Sequence, residues 1–297
     1  MGPGFEPLRA YKEEDNICLP LFLYNKEQKT LMLTFFSFGS GSCGNCYYIS
    51  TGTDAIIVDA GVGIRRFKKN VREYGLNTSI IRGVLITHDH ADHIKNAGLL
   101  SNEYHVPVYA TAPVHEGINR NYQVKNKVDG EYARTITPDE SFEVGPFKAT
   151  PFLLPHDASQ NVGYMLEIDD TTFTVMTDVG AVTDNVNKYI RMSHNLVIEA
   201  NYDTEMLKQG RYPAILKQRI CSGNGHLANT QTAEALSANF HENLKRVWLC
   251  HLSEENNHPE LARKTIDTHL RSFGIIAGVD FQLEVLRRKI PTGPFNL

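Results

Sequence analysis

The run at residues 88–93, His-Asp-His-Ala-Asp-His, concentrates three imidazoles and two carboxylates in one short stretch. Buried together, these side chains would leave charges and polar atoms without partners unless a cation lies between them. In a turn, His88 and His90 can converge on one ion while Asp92 and His93 face a second. Such nitrogen and oxygen ligands suit Zn²⁺, Mn²⁺ or Fe. The run therefore predicts a metal site.

A second pattern recurs along the chain: a short apolar stretch that ends in a His or an Asp. The residues that end such stretches are Asp59, His88, His156, Asp178 and His251. Buried strands deliver these residues to one edge of a sheet, where ligands bind in open α/β folds. Singly, such an Asp is more often a turn or cap residue and such a His a hydrogen-bonded edge residue. Together with the 88–93 run, they predict a common site.

Strands and helices alternate in the elements that must position these residues. Strands are predicted at 33–38, 46–51, 55–58, 83–87, 107–110, 147–154, 163–168, 172–177, 195–198, 246–250 and 281–286. Helices are predicted at 65–74, 93–104, 230–240 and 259–273. This order predicts a layered α/β architecture. Residues 1–31 show little periodicity and are predicted to be an N-terminal extension, which leaves 32–297 as the domain that carries the predicted metal site.

The composition is that of a folded chain without a membrane segment. Of its 297 residues, 41% are hydrophobic and 22% charged, and the net charge of −4 gives no global signal for nucleic-acid binding. No apolar run approaches the roughly 18 residues that span a bilayer. Five cysteines show no disulfide-framework spacing, and Cys43 and Cys46 are expected to lie in a turn as thiols. We expect a cytoplasmic protein.

The motifs resemble the metallo-β-lactamase superfamily, in order, over about residues 32–290. The resemblance implies an αββα sandwich with two divalent metal ions between its halves, Zn²⁺ or Mn²⁺, with Fe also possible. By motif match, one ion is held by His88, His90 and His156, the other by Asp92, His93 and His251, and Asp178 bridges them. Asp59, in Val-Asp-Ala-Gly, is similar to the residue that orients these ligands from behind.

Two branches of the superfamily fit poorly. Flavo-di-iron oxidoreductases usually carry a Glu where this chain has His90, and β-lactamases commonly carry a Cys at the position of Asp178. Glyoxalase-type thioesterases keep the Asp, so a glyoxalase II-like thioesterase or another small-ester hydrolase is an alternative. A non-catalytic regulatory metal-binding module is the alternative from another class, although degenerate members usually lose ligands and this set is complete.

The segment after Asp178 resembles nucleases. Residues 196–202 are similar to the Glu-bearing strand of ribonuclease Z, and residues 225–228 to its His-bearing loop. The resemblance implies that Glu199 and His226 pair to assist the leaving group. The interval before His226 is too short for the added domain of β-CASP nucleases. With the Gly/Ser loop before Tyr47, the chain looks most like the YycJ/WalJ group of metal-dependent, DNA-directed exonuclease-like hydrolases.

These features imply a di-metal phosphodiesterase or nuclease. A hydroxide bridging the ions would attack, with Asp92 or Asp178 accepting its hydrogen bond. Glu199 would raise His226 toward protonation, and His226 would donate to the leaving oxygen. The predicted catalytic residues are Asp59, Asp92, Glu199 and His226.

The expected partner is a nucleic acid, DNA in preference to RNA. The candidate substrate contacts are Ser40, Ser42, Asn45, Asn256 and Asn257. The Gly-rich loop 40–45 could bind a phosphate through its N–H groups, and a plain hairpin turn explains the same pattern. Five cations, Arg65, Arg66, Lys68, Lys69 and Arg72, follow the Asp59 loop. They predict either a solvated helix face or a nucleic-acid contact.

Overall fold

The predicted apolar strands form two seven-stranded sheets in a computed structural model, which describes Met1 and residues 33–297. The predicted extension at 1–31 lies, apart from Met1, outside the described residues, and its boundary stays a prediction.

The first sheet has the strand order β14-β1-β2-β3-β4-β5-β6. Its strands are β1 (Thr34–Gly39), β2 (Cys46–Ser50), β3 (Ala55–Val58), β4 (Ile81–Leu85), β5 (Val108–Thr111), β6 (Ala133–Ile136) and β14 (Thr292–Asn296). Strands β14, β1, β2 and β3 pair antiparallel, and β3 to β6 pair parallel. The carboxyl ends of β3 and β4 therefore lie at the same edge of this sheet.

The second sheet has the order β13-β12-β11-β10-β9-β8-β7. Its strands are β7 (Phe142–Val144), β8 (Phe147–Leu153), β9 (Val162–Ile168), β10 (Thr171–Met176), β11 (Asn195–Glu199), β12 (Arg246–Cys250) and β13 (Gln282–Val285). Strands β10 to β13 pair parallel. Their carboxyl ends place the residues that follow β10, β11 and β12 side by side.

The described helices are α1 (Ile64–Glu73), α2 (Ala91–Ile94), α3 (Ala97–Tyr104), α4 (Ala112–Arg120), α5 (Asp184–Arg191), α6 (Thr204–Gln209), α7 (Ala214–Ile220), α8 (Asn229–Asn239) and α9 (Pro259–Ser272). Of these, α1, α3 and α4 cover the outer face of the first sheet, and α5, α8 and α9 cover that of the second. Strand alternation sends Phe35 into the core between the sheets, with Trp248, and Phe36 into the core beneath α1, α3 and α4. A third core lies between the second sheet and α5, α8 and α9. The αββα prediction is confirmed.

The prediction of one helix over 93–104 is wrong. The chain forms α2 and α3 with a break at Lys95 and Asn96. Asn96 explains the break, because its backbone N–H donates to the carbonyl of Ala60 and its Nδ2 to the carbonyl of Val62. These bonds tie the turn to the loop after β3 instead of continuing the helix.

Candidate active site

Three of the predicted site residues leave their strands in the left-handed backbone region. Asp59 follows β3 with φ 61°, Asp178 follows β10 at 56°, and His251 follows β12 at 52°. Non-glycine residues rarely adopt this conformation, and it costs about 1–3 kcal/mol where it occurs. It turns the chain sharply at the strand end, so that the side chain enters the space between the sheets.

Seven predicted metal ligands lie together there, and we call them the His/Asp cluster. They are His88, His90, Asp92, His93, His156, Asp178 and His251. The nitrogen atoms of His88, His90 and His156 lie within 4.8 Å of one another, which matches the predicted first ligand group. His156 Nε2 is 3.3 Å from His90 Nδ1.

Asp92, His93 and His251 form the predicted second group. Asp92 Oδ2 lies 3.6 Å from His93 Nε2 and 3.5 Å from His251 Nε2. Asp178 lies between the two groups, with Oδ2 3.3 Å from His93 Nε2 and Oδ1 3.6 Å from His156 Nε2. One carboxylate can thus reach both groups.

The donors fit divalent transition-metal ions. His88 Nε2 and His251 Nε2 are buried and have no hydrogen-bond partner among the described residues. Buried polar nitrogens normally have a partner, and these two point into groups of imidazole and carboxylate donors. Such nitrogen and oxygen sets suit Zn²⁺ or Mn²⁺.

The carboxylates and imidazoles of the cluster shift one another's pKa values. Burial disfavours the charged form of Asp178, but His251 and His93 hold its pKa well below the usual value. Burial likewise disfavours protonated His93, but Asp59, Asp178 and Asp92 raise its pKa well above normal. Burial and neighbouring His93 lower the pKa of His88. The cluster therefore places anionic carboxylates around imidazoles. A divalent cation that binds there can replace the protons on these groups.

Asp59 supports the cluster from behind. Its Oδ2 lies 2.7 Å from His93 Nδ1, and Oδ1 accepts hydrogen bonds from the N–H (2.9 Å) and Oγ1 (3.0 Å) of Thr87. Asp59 and His93 are both buried. This pairing turns His93 Nε2 toward the site, as expected of a residue behind the ligands.

Glu199 and His226 form the predicted pair. His226 Nδ1 lies 2.8 Å from Glu199 Oε1, and Glu199 Oε2 accepts from the backbone N–H groups of Val179 (2.9 Å) and Leu227 (3.1 Å). Burial opposes charge on both groups, but each partner favours the other's charged form. The pKa of Glu199 is therefore lowered and that of His226 raised. His226 reaches the surface of the cleft and can hold a proton there.

Four of the five candidate substrate residues are buried. Ser40 Oγ lies 2.8 Å from the hydroxyl of Tyr47 and accepts from the backbone N–H of His251. Asn45 Nδ2 lies 2.8 Å from His93 Nε2. Asn257 donates to the carbonyls of Ala200 and Asn201, and Asn256 is fully buried beside it. The structure therefore places these four where they brace the site, whereas Ser42 lines its opening.

The cleft over the cluster has a volume of about 250 Å³. It brings in residues that the sequence reasoning missed, namely Asn201, Tyr212, Leu216, Arg219 and Ile220. Arg219 Nε donates to Asp157, whose Oδ1 lies 3.4 Å from His156 Nε2. No local pattern in the sequence marks Arg219, because only the folded chain brings α7 to the cleft.

The basic residues of α1 are not among those that line this cleft in the described part of the chain. Two of them contact the protein itself: Arg66 Nη2 donates to the carbonyl of Phe38, and Lys68 lies 2.7 Å from Glu103. Arg66 and Lys68 thus make contacts within the protein, which neither the solvated helix face nor the nucleic-acid contact predicted.

Cys43 and Cys46 are free thiols, exposed and buried respectively. Among the helices of residues 33–297, none has the length and apolar character needed to cross a bilayer.

Known proteins show the same fold. The family described as "Beta-lactamase superfamily domain" matches residues 54–251. Exodeoxyribonuclease YycJ of Bacillus anthracis is 32% identical, over 88% of this chain and 97% of its own length. Exodeoxyribonuclease WalJ of Streptococcus pneumoniae is 34% identical, over 82% of this chain and 90% of its own. The metallo-β-lactamase fold protein YhfI of Bacillus subtilis superposes with a TM-score of 0.65 at 16% identity, covering 88% of this chain and 98% of that one.

The two sheets, the His/Asp cluster between them and the extent of these matches agree with one another. The chain belongs to the metallo-β-lactamase superfamily and, within it, to the family of YycJ and WalJ.

Proposed function

We propose that this protein is a metal-dependent exodeoxyribonuclease that cleaves phosphodiester bonds at the His/Asp cluster. The observation that carries the proposal is the Glu199–His226 pair, which holds a protonatable imidazole beside the cluster. The relatives named exodeoxyribonucleases cover most of the chain and favour DNA over RNA as its substrate.

Two divalent ions, Zn²⁺ or Mn²⁺, would be held by the two ligand groups, with Asp178 shared between them. When bound, such ions supply Lewis acidity and activate water at neutral pH. The protein's own contribution is to fix the ligands. Asp59 holds His93 through Nδ1, and Ser40 accepts from the backbone of His251.

His226 would act as the proton donor. Glu199 occupies its Nδ1, which leaves Nε2 as the nitrogen that can serve a substrate. A phosphodiester expels an alkoxide oxygen, and a proton delivered from Nε2 at that moment lowers the barrier. Asp92 and Asp178 remain anionic because neighbouring imidazoles lower their pKa values, that of Asp92 to about 2 in spite of its burial.

The site also argues against the two alternative functions, a thioesterase and a regulatory metal-binding module. A thiolate leaves without a proton, so a thioesterase has little use for a second acid beside its metals. A regulatory module has no need for the complete ligand set that the cluster contains. We also propose a cytoplasmic location, which agrees with the free state of Cys43, Cys46, Cys221 and Cys250.

Purified protein is expected to contain about two transition-metal ions per chain and to lose them to EDTA. The metal-loaded protein should hydrolyse DNA ends and bis-p-nitrophenyl phosphate, but not a thioester or a β-lactam. His88→Ala combined with His90→Ala should remove at least one ion and abolish hydrolysis, because both residues belong to the first ligand group.

His115→Ala is the matched control, because His115 lies on α4 with Nε2 3.1 Å from the carbonyl of Arg134, outside the cluster. This variant should keep metal and activity. Full activity of metal-free protein, or hydrolysis of the thioester alone, would contradict the proposal.

A further inference from the structure

Helix α7 carries apolar residues along the face that borders the cleft. None of its seven residues is buried. Leu216 and Ile220, one helical turn apart, lie on the same face, and Tyr212 lies just before the helix. All three line the cleft over the His/Asp cluster, whereas Ile215, on another face, is 78% exposed. Tyr212, Leu216 and Ile220 therefore form an apolar wall of the cleft.

A small separate core holds this wall in place. Tyr202, Leu207 and Ala228 are buried together, and Tyr212 and Ile220, which also line the cleft, pack against them. The backbone N–H of His226 also donates to the carbonyl of Ile220, at 2.9 Å. The wall is thus fixed relative to the predicted proton donor.

The rest of the cleft is polar. Besides members of the cluster, its polar lining residues are Ser42, Asp157, Asn201, His226 and Ser253. Arg219 lies at the rim, next to the wall, where Asp157 accepts from its Nε. That contact leaves the two terminal nitrogens of the guanidinium available for an anion, and Asp157 itself lies 3.4 Å from His156 Nε2. A cationic group and an apolar wall therefore flank the cluster on the same side.

We infer that this wall is a nucleotide subsite, in which the nucleobase at the strand end stacks on Tyr212 and Arg219 binds a phosphate. The inference rests on the proposed function and adds that the nucleobase of the terminal nucleotide is recognised. A nucleotide offers a flat apolar face joined to an anion, which is the combination that the wall and the rim present. Every base has such a face, so this subsite favours an unpaired end without selecting a sequence.

Binding of product-like ligands to the Mn²⁺-loaded protein tests the subsite separately from hydrolysis. Thymidine 5′-monophosphate and deoxyribose 5-phosphate share the phosphate and differ in the base. Titration calorimetry should show tighter binding of thymidine monophosphate, by about 5- to 150-fold, the range expected for one stacked base. Tyr212→Ala should reduce that ratio to nearly one, and Tyr212→Phe should preserve it. Arg219→Ala should weaken both ligands alike.

Two controls separate stacking from general damage. Ile215→Ala changes the exposed face of the same helix, and Tyr122→Ala removes a tyrosine that is 87% exposed outside the cleft; neither should alter the ratio. Leu216→Ala provides a second wall variant if Tyr212→Ala does not fold. Equal binding of the two ligands by the unaltered protein, or equal loss of both in Tyr212→Ala, overturns the subsite. Base-dependent binding without DNA hydrolysis would instead overturn the proposed function and leave the subsite standing.

Discussion

Glu199 Oε1 lies between two imidazoles, 2.8 Å from His226 Nδ1 and 3.0 Å from His251 Nδ1. One of these belongs to the predicted proton donor and the other to the His/Asp cluster. A fully buried carboxylate shared in this way couples the two functions, because a change in the charge of one imidazole alters the field at the other. The pair is therefore best tested with substrates that separate proton donation from the rest of the reaction.

His226→Ala should slow cleavage of a DNA strand by about 10²–10⁴-fold, the usual contribution of general acid catalysis. It should barely affect p-nitrophenyl phosphodiesters, because p-nitrophenolate leaves without a proton. Metal content, measured by atomic emission, should stay unchanged. His156→Ala serves as the contrast, since a ligand variant should lose metal and both activities together. Unchanged DNA cleavage by His226→Ala would show that this residue is not the acid.

Glu199→Gln should change the pH dependence of DNA cleavage. Glu199 raises the pKa of His226 against the effect of burial, so His226 stays protonated to higher pH in the unaltered protein. Without the negative charge the pKa falls, and the alkaline loss of DNA cleavage should move to lower pH. Rates measured from pH 6 to 10 with DNA and with a p-nitrophenyl ester check this. If both proteins lose DNA cleavage over the same alkaline pH range, a group other than His226 is responsible for that loss.

At the scale of elements, the loop after β3 and helix α2 approach one another at Gly61. The backbone N–H of Gly61 donates to the carbonyl of Asn45, whose own N–H donates to the carbonyl of Asp92. A Cβ at position 61 would lie 1.5 Å from that carbonyl oxygen. The backbone that carries Asp92 and His93 therefore depends on a residue without a side chain.

Gly61→Ala should displace the α2 turn and destabilise the protein by about 1–3 kcal/mol or more, as overpacking of backbone does. Because Asp92 moves with the turn, metal affinity should fall as well. Thermal unfolding with and without Mn²⁺ measures both effects. Gly130→Ala is the matched control, since a Cβ there would have no atom of the described residues within 4 Å beyond its chain neighbours, and it should leave both unchanged. Equal behaviour of the two variants would contradict the role of this close approach.

The elements that the sequence predicted well share a clear physical signal. Buried strands such as β3, β4 and β12 are continuous apolar runs, and the ligands that follow them stand out for that reason. Some elements that were not predicted lack a buried stripe, such as α7, which has no buried residue, and β6, whose central residues are exposed. Helices α4 and α5 were also not predicted, although each buries apolar residues on one face. Tyr212 and Arg219 escaped with α7, because only the folded chain brings that helix to the cleft.

At the scale of the whole molecule, both sheets contribute to the cluster. His88 to His93 follow β4 of the first sheet, while His156, Asp178 and His251 follow strands of the second. Ions bound there would join the two halves of the sandwich. The sequence predicted a common site for these ligands, but only the resemblance to a known superfamily implied that the site lies between two halves, because no local pattern specifies how the sheets pack.

Deletion of residues 1–31 should leave metal content and hydrolysis intact, because every predicted site residue comes later in the chain and β1 begins at Thr34. Atomic emission and a DNA cleavage assay on the truncated protein check this. Failure of the shortened chain to fold would move the domain boundary toward the N-terminus.

Strand β14, the last strand of the described residues, pairs antiparallel with β1, the first of them, through Thr34 and Asn296 among others. During synthesis, β1 emerges from the ribosome long before its neighbour exists. Its outer edge therefore stays unpaired until residues 292–296 have left the ribosome, and an unpaired edge is a place where strands of other chains can add. The pairing of β1 with β14 therefore forms late during synthesis, since Thr34 and Asn296 are 262 positions apart in the sequence.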